Sequence, residues 1–137
     1  MFGMGMKSFR IFLLIFITVA ISACGTAMYG PDNTAFGTGH TGYSEKPIDS
    51  VTYQVTYWSR NSDDADRYDL YRSAELTNQH GFDYFVVSDS RPNDNADLSE
   101  YEVTKTIRMY KGETPTDNAS AYNAKSMLTV MGPTVNK

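Results

Sequence analysis

Val51-Thr52-Tyr53-Gln54-Val55-Thr56-Tyr57-Trp58 alternates strictly, with Val51, Tyr53, Val55 and Tyr57 on one side and Thr52, Gln54 and Thr56 on the other. A period of two in β-branched and aromatic residues predicts a half-buried strand. Ser59 to Asp63 breaks the alternation, and Asn61, Ser62 or Asp63 is placed to cap a helix whose first turn carries Asp64 and Asp66. The helix is predicted from about Asp64 to His80, with Leu70, Tyr71, Ala74, Thr77 and Asn78 on one face. Ala74 allows close approach to a sheet, Arg72 and Glu75 pair on the exposed side, and Gly81 supplies the left-handed residue that ends the helix.

Phe82-Asp83-Tyr84-Phe85-Val86-Val87-Ser88 follows at once, and its apolar density marks a central strand. Asp89 to Ser99, rich in Asp, Asn and Ser and containing Pro92, is expected to be a mobile loop. Glu100 to Lys111 alternates again, with Tyr101, Val103, Ile107 and Met109 on the apolar side. Lys105 interrupts that side, which suggests an edge position or a strand end. A polar loop over Glu113 to Asn123 leads to a fourth strand at Lys125 to Met131, with Leu128 and Val130 opposite Met127, Thr129 and Met131. The expected fold class is α+β: one mainly antiparallel four-stranded sheet with one helix on a face, in the order β-α-β-β-β. The last three strands would form a meander, and the far side of the sheet would be more polar.

Upstream of this domain, predicted for residues 47–137, the composition changes. Lys7 and Arg10 precede the eleven-residue apolar run Ile11 to Ile21, which ends in Ile21-Ser22-Ala23-Cys24. Such a run is shorter than the roughly 20 residues needed to cross a bilayer and reads as a secretory signal over residues 1–23. Cys24 is the sole cysteine, so no intramolecular disulfide can form. Residues 24–46 hold Gly25, Gly30, Gly37, Gly39 and Gly42 among polar residues and read as a flexible tether with an r.m.s. span of about 25 Å.

Ile21-Ser22-Ala23-Cys24 resembles a bacterial lipobox. The resemblance implies diacylation of the Cys24 thiol, cleavage before it and acylation of the new amino terminus. Three acyl chains would hold the protein on its membrane. Gly25 stands where an aspartate would, in enteric bacteria, favour the inner membrane, so the resemblance points to the outer membrane, facing the periplasm. Gly42-Tyr43-Ser44-Glu45, Tyr53 to Tyr57, Leu70 to Thr77 and Gly81 to Phe85 also resemble blocks of an uncharacterised group of small Gram-negative envelope lipoproteins. That likeness brings no activity with it.

The full chain carries 12 basic and 16 acidic side chains. Residues 1–23 hold two of the basic groups and no acidic one, which leaves the remainder at −6. An acidic body argues against nucleic acid as a partner. Asp63, Asp64, Asp66 and Asp69 lack the glycine and ligand spacing of a calcium loop and read as helix-start carboxylates. His40 reads as a loop residue and His80 as a partner for the helix C-terminus. No catalytic motif, metal set or cofactor site is recognised. The expected role is a non-catalytic protein-interaction or assembly module, anchored in the membrane through Cys24. The alternative is a glycan-binding module, for peptidoglycan, that uses Tyr57, Trp58 and Tyr110 as stacking platforms.

Overall fold

The computed structural model describes residues 29–32, 41–95, 100–115 and 120–135. Cys24, His40 and most of the expected tether lie outside them. Strand β1 (Gly42–Pro47) is followed by β2 (Thr52–Ser59), helix α1 (Ser62–Gln79), β3 (Tyr84–Asn95), β4 (Glu100–Tyr110), β5 (Ala121–Asn123), helix α2 (Ala124–Met131) and a 3-10 turn (Gly132–Thr134). The strands form one sheet in the order β1-β2-β4-β3-β5, every neighbouring pair antiparallel. β2 and β3 therefore run parallel with β4 between them, and α1 makes the crossover. The fold is α+β, as expected, with five strands and two helices among the described residues in place of four and one.

Asn61 starts α1 by accepting hydrogen bonds at its side chain from the Asp63 and Asp64 N–H groups, at 2.9 and 3.2 Å, which satisfies two of the orphan donors of the first turn. Gly81, at φ +78°, ends it. Val55, Ala74, Leu76, Phe85, Ile107, Met109 and Ala124 form the main core. A second cluster is almost wholly tyrosine: Tyr29, Tyr57, Tyr68 and Tyr71, with Val135. Helix α1 is buried on more than one side because β2 and β4 cover one side and α2 packs against another. Its polar core positions are provided for locally, since the Ser73 and Thr77 hydroxyls donate to the carbonyls of Asp69 and Ser73, at 2.9 and 2.7 Å.

Four expectations are corrected. Lys125 to Met131 is helical. Ala124, Met127, Leu128 and Met131 recur at the helical spacing i, i+3, i+4, i+7 and pack on α1, while Val130, which a strand would turn inward, is 74 % exposed. Asn123 caps this helix by accepting from the Ser126 N–H at 2.9 Å. Much of the loop expected over Asp89 to Ser99 is strand, as β3 runs on to Asn95 after a bulge at Ser88, which has no place in the ladder register and donates its hydroxyl to the Thr106 carbonyl at 3.2 Å. β4, where Lys105 suggested an edge position or a strand end, is the middle strand and Lys105 lies midway along it; β3, expected to be central, is an interior strand that pairs with β5 through Tyr84, Phe85 and Val86.

The tether is the fourth. Residues 42–47 are strand β1, and residues 29–32 lie beside it through a parallel bridge between Pro31 and Tyr43. The Asp32 N–H donates to the Tyr43 carbonyl and the Tyr43 N–H to the Gly30 carbonyl, at 2.8 and 2.9 Å. Gly42 permits this approach. A Cβ there would lie 2.4 Å from the Pro31 oxygen, and its φ of +113° disfavours any other residue. Tyr29 then enters the aromatic cluster, stacked 5.9 Å from Tyr57 and edge-on to Tyr68 and Tyr71 at 5.7 and 5.2 Å.

Candidate functional site

Two polar clusters lie against α1, one toward β1 and one toward its N-terminal half. In the first, the Arg72 guanidinium donates to Glu45 and, at 3.0 Å, to Glu75, and its carbon sits 4.2 Å from the centre of the Tyr43 ring. The Tyr29 hydroxyl donates to the same Glu75 carboxylate at 2.5 Å. Burial works against the arginine charge, but the bonds to Glu45 and Glu75 outweigh it and hold its pKa above the ordinary value. Burial, reinforced by Glu75, pushes the Tyr29 hydroxyl well up. Arg72 and Glu75 pair as the sequence predicts, but in a part-buried setting instead of on an open surface. This cluster fastens β1 and residues 29–32 to the helix.

The second cluster centres on Lys105. Its inward phase on the middle strand carries the ammonium under α1, where it is 6 % exposed and donates to Asp66 at 2.6 Å. Asp69, with a fully buried side chain, lies 3.8 Å away, too far for a hydrogen bond. Both of its carboxyl oxygens lack a hydrogen-bond partner among the described residues. Desolvation therefore outweighs the pull of Lys105 and, with Asp66 adding to it, pushes the Asp69 carboxyl up to about 8. Near neutrality Asp69 is mostly the protonated acid, and Asp66 carries the countercharge.

Asp66 also lines a cleft of about 340 Å³ between the start of α1 and the far arms of β3 and β4. Pro92, Tyr101 and Val103 give it apolar walls, and Ser62, Ser90 and Asp94 are its polar lining opposite and beside Asp66. The β3–β4 register pairs Pro92 with Val103 and Asp94 with Tyr101 on the side facing the helix. Asp66 stands at the mouth with its side chain 64 % exposed. Along this arm β3 has no partner on its second side among the described residues, since β5 reaches only Val86.

Set against protein-family models, curated proteins and solved structures, the chain has no match. The site therefore rests on its own geometry.

The three aromatic residues proposed from sequence are not brought together. Tyr57 is buried in the tyrosine cluster, where burial and then Tyr68 push its hydroxyl up, so its ring is not an open platform. Trp58 and Tyr110 are half-buried on the opposite, outer sheet face. Trp58 sits level with Glu102 of β4, eight residues from Tyr110, a separation of about 27 Å along the strand. Arg108 packs beside Tyr110, 6.0 Å from its ring centre. Around them the outer face is hydroxyl-rich, with Thr56 and Thr104 hydrogen-bonded across strands at 2.9 Å. The cleft and the Lys105 cluster were missed in the sequence. Their one visible signal was a lysine in the apolar phase of an otherwise regular strand.

Proposed function

We propose that this chain is a lipid-anchored cell-envelope lipoprotein, acylated at Cys24 and held at the outer membrane facing the periplasm, whose small domain is a non-catalytic protein-interaction or assembly module. The lipobox-like Ile21-Ser22-Ala23-Cys24 motivates the anchor. The observation that carries the reading is the burial of Tyr29, only five residues after Cys24. Five residues span at most about 18 Å, so an acylated Cys24 would keep the β1 side of the domain against its own membrane, within reach of partners in that surface. The buried Lys105 and Asp69 read as structural groups under the helix, with Asp66 as the partner of Lys105, and the open cleft beside them offers a place for a partner to dock.

Intact mass of the protein from fractionated membranes, beside a Cys24→Ser variant, tests the anchor. Acyl mass on Cys24 and outer-membrane fractionation are expected; an unmodified soluble chain would overturn the reading. Cross-linking in growing cells is expected to trap a reproducible envelope protein. The alternative, a glycan-binding module, retains only Trp58 and Tyr110, too far apart to flank one sugar. Sedimentation of the protein with purified cell wall is its direct test, and failure to pellet removes it.

A further inference from the structure

We propose that the cleft between α1 and the β3–β4 arm is the docking site of that module, and that its occupant is an extended segment of a partner protein that adds to the free edge of β3 and sends a lysine or arginine side chain between Asp66 and Asp94. This rests on the reading of the domain as an interaction module and names the chemistry of its partner.

Three observations converge. β3 continues for nine residues past its last contact with β5, as far as Asn95, and is hydrogen-bonded there to β4 alone among the described residues. An extended chain laid on such an edge gains main-chain hydrogen bonds and places alternate side chains on one face of the sheet. On the helix-facing side of this arm Ser90, Pro92 and Asp94 line the 340 Å³ cleft, and the edge residue Asn93 lines it too.

Charge selects the occupant. Asp66 from the helix and Asp94 from the strand line the same cleft. The cations on the helix side are already engaged, Lys105 by Asp66 and Arg67 by Asp64 at 2.7 Å, and Arg91 lies on the outer sheet face, paired with Asp89. Asp94 has no side-chain partner among the described residues. A long basic side chain meets both demands of the site, with its aliphatic stem on Pro92, Tyr101 and Val103 and its charged end at the carboxylates. The bulge at Ser88, Pro92 and the Asp89–Arg91 pair make the edge a poor template for indiscriminate pairing, so the cleft, more than the edge, sets the choice of partner.

The test is a fluorescence-anisotropy titration of the full-length chain in detergent with a labelled seven-residue peptide of alternating threonine and lysine, both ends uncharged. Binding at low salt is expected, weakened about fivefold by Asp94→Asn and further by raising the salt. Replacing the lysines with glutamine, or N-methylating alternate peptide amides, is expected to abolish it. Asp94 is exposed and outside both cores, so its variant should fold normally, which circular dichroism checks. Equal binding of the glutamine peptide, no effect of N-methylation, or butylamine competing as well as the whole peptide would each overturn the proposal. So would self-association of the chain through this edge at the peptide's expense. A partner that cross-links in cells but is unaffected by Asp94→Asn would sink the cleft and leave the module reading intact. Peptide binding without any cross-linked partner would sink the module reading instead.

Discussion

Arg72 and Lys105 are both cations buried against the same helix, and the structure treats them in opposite ways. Arg72 meets two carboxylates, Glu45 and Glu75, and an aromatic face. Its planar fork matches carboxylates in a way an ammonium does not. Lys105 meets one carboxylate that remains largely in water and one that is buried beyond hydrogen-bond reach. The first cluster holds its charges; the second sheds one by keeping Asp69 protonated. A buried charge whose neighbours can neutralise themselves is easier to lose than one whose neighbours cannot.

The largest difference should follow from Arg72→Met. Glu45 and Glu75 would be left facing each other, and destabilisation of about 3–5 kcal/mol is expected by denaturant titration. The pH dependence of Asp69 is of comparable size, spread over several pH units. Its folded pKa, about 8, exceeds the ordinary carboxylic value, so the folded state holds the proton more tightly. Its contribution is favourable at low pH and is lost as pH rises from about 4 through about 8, by up to about 1.4 kcal/mol per pH unit. In Asp69→Asn this fall should be absent, and the variant should gain on the parent as pH increases. Unchanged slopes would mean that Asp69 is ionised beside Lys105 after all.

Lys105→Met is a milder change at pH 6, about 1 kcal/mol, because Asp66 is mostly solvated and a protonated Asp69 needs no counterion. The cost should grow above pH 8. The smallest effect is expected for Tyr29→Phe, about 0.5–1 kcal/mol, since Glu75 keeps Arg72 when it loses the phenol. Thermal unfolding measured across pH separates the two clusters: the cost of Arg72→Met should be relieved only at acid pH, where Glu45 and Glu75 protonate, whereas variants in the Lys105 group should tilt the curve up to about pH 8.

The elements with a clean period were legible in the sequence. β2, the body of α1 with a cap among Asn61, Ser62 and Asp63 and a stop at Gly81, the opening of β3 and all of β4 follow from local pattern. α2 was misread because the four apolar residues Met127, Leu128, Val130 and Met131 of the seven-residue stretch Lys125 to Met131 fit both alternation and the helical spacing. The cap at Asn123 and the buried Ala124, one residue upstream of the stretch, decide between them. Tyr29 was illegible for a different reason. It is one aromatic residue in a glycine-rich run, and its burial depends on Tyr57, Tyr68 and Tyr71, which only the folded chain assembles. Lys105 was seen but assigned to an edge position or a strand end, because its neighbours Asp66 and Asp69 sit on another element and no local rule connects them. The cleft has the same origin, being made from three elements at once.

Ser88 has a bearing on how such a chain can vary. It is the one residue of β3 that the ladder does not count: Val87 pairs with Ile107 and Asp89 with Thr106. Phe85 and Val87 before it and Ser90, Pro92 and Asp94 after it all face the helix only because this supernumerary position shifts the phase by one. Losing Ser88 would leave both halves facing as they do now, in a regular ladder. Losing any single residue elsewhere in the strand would turn part of it inside out and drive Asp89 and Arg91, or Phe85, to the wrong side. Length variation among descendants of this sequence should therefore be confined, within β3, to that position.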